Sequence, residues 1–348
     1  MDKQSDVWVV THYAGQLIEP ENIEGSKGVF GSELALLEVF KRVSFKVTVF
    51  ISKPSGYHFE KYGITWKSDE DWNHLIKNPP KHIVISRYIG SMCDYYMPTS
   101  CKIWLWVHDT IPHPAYQGIQ LTPSFCRNMS KRLSGIVTVG DSQKDEIIIP
   151  NFKLNKELFT TIKNGITLIK DFKLNKERCP MSFVYASGPD RGLWNLLKMW
   201  PAILNKWHWA TLQIFHGLSD EEIKRINDMR LPRVYPMGRA TQTELFKKLQ
   251  VIDYWLYPCT FFETCCTTAI EMQYFGPICI STKLGALKEN NKGLLIDNET
   301  FQNDVMDHLE YLEQHPEQKT IIRERQHEWA KQQSWDARAQ QWNELLQK

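Results

Sequence analysis

No stretch of this chain approaches the roughly 18 consecutive apolar residues that cross a bilayer. The start, Met1-Asp2-Lys3-Gln4-Ser5-Asp6, passes into a short apolar run without the hydrophobic region or small-residue cleavage site of a signal peptide. A cytoplasmic protein without a transmembrane segment is expected. A basic surplus is also missing: 42 Lys and Arg stand against 40 Asp and Glu, a net charge of +2. Dedicated phosphate-backbone binding needs a large, clustered excess, so nucleic acid is not an expected partner. Pairs such as Lys41-Arg42 and Lys131-Arg132 occur singly beside expected helices and read as solvated faces, with peripheral contact to an anionic membrane as the lesser alternative. Cys93, Cys101, Cys126, Cys179, Cys259, Cys265, Cys266 and Cys279 include no C-x2-C pair of the kind zinc sites use. Reduced, mostly buried thiols are expected, and no metal. Repeats and low-complexity tracts are absent as well.

What is present describes a globular α/β chain. At 348 residues, 42% hydrophobic and 24% charged, it suits two domains of ordinary size. Strand-length apolar runs alternate with helical patterns: strands at 7–10, 47–51, 82–86, 103–107 and 136–139, with Ser32 capping one helix and Asp141-Ser142 opening another through Ile149. A second series follows, with strands at 183–186, 212–215, 252–256, 278–281 and 293–296 and helices at 191–204, 220–229, 241–249 and 264–275. Such alternation predicts βαβ units with parallel sheets, hence two Rossmann-like halves. Among thirteen tryptophans, Trp104, Trp106, Trp207 and Trp209 alternate as strand residues do. The turn Asn164-Gly165-Ile166 marks the boundary, with the polar segment Lys170 to Pro180 as a linker. The expected division is 1–165, 166–328 and a terminal helical segment, 329–348, with Trp335, Ala339 and Trp342 on one face.

Four motifs carry chemistry. Phe262-Glu263-Thr264-Cys265-Cys266-Thr267-Thr268-Ala269-Ile270-Glu271 sets two glutamates eight residues apart at an expected helix start. On one helix Glu271 would lie about 12 Å along and ~80° around from Glu263, the reach of a sugar nucleotide. The N–H groups of Thr264, Cys265, Cys266 and Thr267 would meet a diphosphate at the positive end of that helix. Gly25-Ser26-Lys27-Gly28-Val29-Phe30-Gly31-Ser32-Glu33 offers a glycine loop beside a helix start, though not the G-x-G-x-x-G spacing of dinucleotide binding. His108-Asp109 ends a strand where open α/β sheets hold ligands. Ser187-Gly188-Pro189-Asp190-Arg191-Gly192 places Arg191 where a planar guanidinium can pair with a diphosphate. Each motif alone has a plainer reading: two solvated acids, a flexible loop, a structural histidine, a turn salt bridge. A metal cluster of His12, His108 and His113 lacks any tight ligand spacing.

In their order and separations these motifs, together with Val139-Gly140-Asp141-Ser142-Gln143, Asn164-Gly165-Ile166 and Ser334-Trp335-Asp336, resemble the retaining glycosyltransferases of family 4, over most of the chain. The resemblance implies a GT-B fold, two Rossmann-like domains facing across a cleft, with the last helix returning to the N-terminal domain. It implies transfer of a sugar from a nucleoside diphosphate sugar to a saccharide or other hydroxyl acceptor, without metal or further cofactor. Glu271 would bind the ribose hydroxyls, Glu263 the donor sugar, and Arg191 the diphosphate, joined by the amides of Gly31 and of Thr264 to Thr267, with His108 beside the transferred sugar. Two departures stand out. Phe30 precedes Gly31 where the family has adjacent glycines, and Ser187 takes the position of a second cation, which Lys198 or Arg239 would have to supply. The alternatives are a non-catalytic nucleotide-sugar-binding scaffold and a GT-B-like epimerase or phosphorylase.

Overall fold

The computed structural model of the chain describes residues 6–11, 18–21, 31–111 and 122–348. His12, His113, Phe30 and the glycine loop before Gly31 lie outside these residues. The chain divides into two compact units, residues 1–165 with 335–348, and residues 166–334.

In the first unit the described strands are β1 (Val7–Val10), β2 (Val47–Ile51), β3 (His58–Lys61), β4 (Ile64–Ser68), β5 (His82–Ser86), β6 (Lys102–Val107), β7 (Gly135–Thr138) and β8 (Phe159–Thr161). They form one sheet in the order β3-β4-β2-β1-β5-β6-β7-β8, parallel except for the β3/β4 pair. Every residue of β1, β2 and β5 is buried, as a parallel sheet covered on both faces requires. The helix Trp335–Gln347 belongs to this unit. Its Trp342 packs on Phe40 and Trp106, at ring-centroid distances of 5.7 and 4.9 Å, and Arg42 pairs with Asp336 at 3.0 Å. The segment that joins the first unit begins at Trp335 rather than at residue 329, because residues 329–331 complete the helix Pro316–Lys331 of the second unit.

The second unit carries β9 (Cys179–Tyr185), β10 (Thr211–Ile214), β11 (Val234–Pro236), β12 (Ile252–Tyr257), β13 (Ile278–Thr282) and β14 (Leu294–Ile296) in an all-parallel sheet ordered β11-β10-β9-β12-β13-β14. Strand order reverses between β9 and β12, and in the first sheet between β1 and β5. Loops diverge at such seams and leave a crevice beyond the strand ends. The chain passes between units twice, and the crossings are tied to each other by a parallel bridge of Ile166 with Ser334 and by the Ile166 N–H donating to the Gln333 carbonyl at 2.8 Å.

Several expectations change. Trp207 and Trp209 are not strand residues: Trp207 ends the helix Leu193–Lys206, and Trp209 lies in the following turn, 45% exposed. Local alternation of two bulky residues could not reveal that the helix extends to its C-cap. Ser32 does not cap its helix but lies within Gly31–Phe40, its hydroxyl donating to the Glu33 carboxylate at 2.7 Å. The helix does open at Asp141-Ser142, but it passes at once into a π-helical stretch, Gln143–Ile148. Nor is Lys170 to Pro180 a linker. Phe172 packs among the rings of Tyr274, Phe275 and His327. Arg178 donates from Nη1 to the carbonyls of Leu249 and Ile252 at 2.8 and 3.0 Å, and from Nη2 to that of Phe275 at 3.0 Å, so its guanidinium closes two helix C-termini and one strand start.

Burial lowers the Arg178 pKa to about 10, which leaves the guanidinium charged at neutral pH. Replacing Arg178 by Met strips three buried carbonyls of their donors, each costing about 1–3 kcal/mol when left unpaired. The expected loss is roughly 3 kcal/mol or more in urea unfolding of the full chain; a change under about 1 kcal/mol would return this segment to the status of a linker.

Candidate active site

In the second unit the site is built at the seam between β9 and β12. Beyond β9 the loop turns tightly: the Tyr185 hydroxyl donates to the Gly188 carbonyl at 2.7 Å, and the Arg191 N–H returns to the same carbonyl at 3.0 Å. Gly192 then takes φ +115°, and a Cβ there would lie 2.3 Å from the Pro258 carbonyl oxygen, so only glycine lets this loop rest against the one leaving β12. Arg191 thereby reaches Glu263, its Nη1 donating to Oε1 at 3.1 Å. The guanidinium lies 3.5 Å from the centroid of the Phe261 ring, and Nε contacts the exposed Asp190 at 3.3 Å. Glu263 is 8% exposed. Its Oε1 also accepts from the Tyr257 hydroxyl at 2.7 Å.

Glu263 is not on a helix. The helix that follows is Thr267–Phe275, entered through Cys266 in the left-handed region at φ 54°, ψ 65°. The expected geometry, with Glu263 and Glu271 on one continuous helix, is therefore corrected. Thr, Cys, Cys and Thr are poor helix formers, and the chain instead stays irregular to Cys266, held by Asn290, whose side-chain amide donates to the Cys265 carbonyl at 2.6 Å. The Ala286 N–H donates to the Glu263 carbonyl at 2.8 Å. Gly285 makes room for that contact, since a Cβ on it would stand 2.5 Å from the same oxygen. Helix-start amides are consequently those of Thr267 and Thr268, which precede the first N–H bonded back to the helix start, that of Ala269 to the Cys266 carbonyl; Thr264 and Cys265 belong to the loop before them. Glu271 sits within the first two turns, partly buried. Burial pushes its carboxyl up to about 7.

Ser187 lies partly buried in the loop after β9. Arg239 is exposed in the loop after β11, beside Gly217 of the loop after β10. Lys198 projects from the exposed side of the helix Leu193–Lys206, past its first turn. So Arg191, Glu263, Ser187 and Arg239 share the carboxyl-end edge of the sheet, while Lys198 does not.

The first unit gathers a second group at its own seam. His108 follows β6 and is buried, its ring 4.6 Å from that of Trp106. Burial drives its pKa down to about 3, so the imidazole is neutral at any ordinary pH. Arg87, just past β5 and itself at φ 74°, grips Asp109 through Nε and Nη2, both at 3.0 Å, and its Nη1 stands 3.7 Å from buried Glu33. Buried Gln143 donates to the carbonyls of Val107 and Asp109 at 3.1 and 2.7 Å and accepts from the Val139 N–H at 2.8 Å. The π-helical turn brings that side chain across β6. Gly31 opens the helix that carries Glu33, and among the described residues nothing lies within 4 Å of where its Cβ would be.

Sequence reasoning missed Tyr257, Phe261 and Arg87. Tyr257 and Arg87 stand at or just beyond strand ends facing the seams, the same placement that singled out His108. Among the described residues no group of three or more His, Cys, Asp or Glu is arranged to hold a metal ion. No described helix is long and apolar enough to cross a membrane.

The fold has known counterparts. Sucrose-phosphate synthase from Thermosynechococcus elongatus superposes with a TM-score of 0.73 at 13% identity, over 99% of this chain and 98% of that one. Anabaena HepE in complex with UDP and glucose gives 0.68 at 13% identity, over 99% and 100%. A glycosyltransferase from Rickettsia africae gives 0.71 at 12%, over 98% and 97%. The chain has the GT-B fold. No protein-family model and no curated protein matches it by sequence.

Glu271 makes a prediction about this GT-B chain that needs no ligand. Its folded pKa, about 7, stands above the ordinary value of 4.5, so the folded state binds the proton more tightly than the unfolded one. The stabilisation is complete below the unfolded value and is lost as pH rises through about 7. Glu271→Gln removes that loss. Its melting temperature relative to the parent is expected to rise between roughly pH 5 and 8; a margin constant over that range would contradict the burial of this carboxyl.

Proposed function

We propose that this chain is a retaining glycosyltransferase of the family 4 type, moving a sugar from a nucleoside diphosphate sugar to a hydroxyl acceptor. The observation that carries the reading is the convergence of Arg191 and Tyr257 on one carboxylate oxygen of Glu263 at the β9/β12 seam, beside a helix start with Glu271 inside it. The named counterparts with this fold lend support, one of them held with UDP and glucose.

In this reading the diphosphate sits against the Arg191 guanidinium and the amides of Thr267 and Thr268, with Ser187 near it. Glu271 accepts from the ribose hydroxyls, and Glu263 from a hydroxyl of the donor sugar. Arg239 is the better placed of the two candidate second cations. His108, as a neutral imidazole, hydrogen-bonds a sugar hydroxyl without adding charge, and the Gly31 amide serves the diphosphate; both roles come from the family resemblance.

The reaction breaks the bond between the anomeric carbon and the diphosphate oxygen and forms one to the acceptor oxygen on the same face. The acceptor proton passes to the departing diphosphate. Charge grows on the leaving group, and a guanidinium with preset backbone donors stabilises it without reorganising. That arrangement can do the work of a metal ion, so catalysis is proposed to be metal-independent, without a further cofactor, and to take place in the cytoplasm.

A thermal-shift screen against UDP, GDP, dTDP and their sugars identifies the donor, because a ligand of the folded state raises its stability. With that donor, Arg191→Ala and Glu263→Ala are expected to lower turnover by roughly a hundredfold or more while the folded state persists; near-parental turnover in both would remove the site assignment. Treatment with EDTA is expected to leave the rate unchanged. A rate abolished by EDTA and restored by Mn²⁺ would replace the metal-free mechanism, and donor binding without turnover across an acceptor panel would favour a scaffold.

A further inference from the structure

We propose that Tyr257 is the positioning residue of this site: its hydroxyl occupies Glu263 Oε1, and so leaves Oε2 for the donor and prevents Glu263 from closing as a fork on Arg191. This rests on the donor reading above and adds to it a residue with a stated task.

An arginine beside a carboxylate prefers two parallel N–H···O bonds. Here the pair is held by one, Nη1 to Oε1 at 3.1 Å, and the shorter bond to that oxygen is the tyrosine's, at 2.7 Å. The Glu263 backbone is fixed from the other side by Ala286 and Gly285. The carboxylate can therefore turn only about its side-chain torsions, and Tyr257 sets them. Tyr257 itself has little freedom. It is the last residue of β12, fully buried, stacked on Trp255 at 4.5 Å with its ring near Tyr185 at 5.8 Å. Burial raises its pKa well above the ordinary tyrosine value, with the neighbouring Cys266 and Glu263 acting in the same direction, so the hydroxyl keeps its proton and donates. Among the described residues no hydrogen bond engages Glu263 Oε2 or Arg191 Nη2. These are the two polar atoms a sugar hydroxyl and a phosphate oxygen would meet.

Without the hydroxyl, Glu263 is free to satisfy both oxygens on Arg191. The cation is then neutralised and the acceptor oxygen is turned away in one movement. The test is Tyr257→Phe, which keeps the stacked ring and removes one oxygen. Tyr254→Phe is its control, an equally buried tyrosine of β12 whose hydroxyl donates to Glu313 at 2.6 Å, away from the site.

A crystal structure of Tyr257→Phe is expected to show Glu263 paired with Arg191 through both oxygens. With UDP-glucose as probe and UDP as its sugar-free reference, affinity is expected to fall for both and more for UDP-glucose. The kcat with the donor from the screen is expected to fall roughly tenfold or more. Tyr254→Phe should lose comparable thermal stability yet stay within about twofold of the parent in kcat and in both affinities. An unmoved carboxylate in the variant crystal, or a kcat within about twofold of the parent, overturns the proposal. If the parent protein binds no sugar nucleotide, the donor reading fails instead, and the carboxylate rotation still decides what Tyr257 does.

Discussion

Two backbones meet at the β9/β12 seam at a distance no side chain tolerates, and the candidate site of the second unit depends on that approach. Gly192 is the contact, lying against the Pro258 carbonyl. A β-carbon there would force the loops apart, and with them Arg191 from Glu263, because both side chains hang from those loops within a few residues of the contact. Gly285 repeats the device on the other flank, where the turn after β13 presses on the Glu263 carbonyl. The acid is thus held by main chain from one side and by Tyr257 and Arg191 from the other. Its placement comes from close packing of loops rather than from helix geometry.

Electrostatics in the two units follow different rules. In the first, a partly buried cation is consumed by its neighbours: Arg87 is gripped by Asp109 with Glu33 nearby, and His108 is kept neutral by burial. Such a corner is preset in shape and carries little free charge. In the second, the Arg191 guanidinium is shared among Glu263, Asp190 and the Phe261 face, and Glu271 titrates near neutrality. Charge there is available to a ligand.

Much of the sheet architecture was legible because parallel strands buried on both faces are rich in Val and Ile, as in β1, β2 and β5, and cannot be mistaken for surface. β4 was legible in principle too, as Ile64 and Trp66 alternate with polar residues. Its partner β3 and the edge strand β11 are short and exposed, so nothing in their composition separates them from loop. The candidate site was proposed from an ordered set of motifs, of which the structure brings Arg191 and Glu263 together. Its geometry was not legible: the spacing of Glu263 and Glu271 does not reveal that Cys266 adopts a left-handed conformation and delays the helix to Thr267. Tertiary contact also overrode composition at Arg178, whose basic surroundings suggested a solvated tether, while its guanidinium caps buried carbonyls.

The shortage of cations has a structural counterpart. Lys198, several residues past the start of the helix Leu193–Lys206, is about 8 Å along its axis from the edge where Arg191 lies. Arg239 shares that edge, and its charge reaches His216, whose pKa is lowered chiefly by burial, with Glu222 opposing and Arg239 adding to the fall. β11 is two strands from β9, about 10 Å across the sheet, so Arg239 can approach a ligand from its far side but not stand beside Arg191. A diphosphate in the proposed position would then be met by one guanidinium at close range and otherwise by main-chain N–H groups. Backbone donors are indifferent to the side chains that follow them. In that proposed arrangement the amides of Thr267 and Thr268 need no cation of their own beside them, provided that Cys266 keeps the turn and Gly192 keeps the loops together.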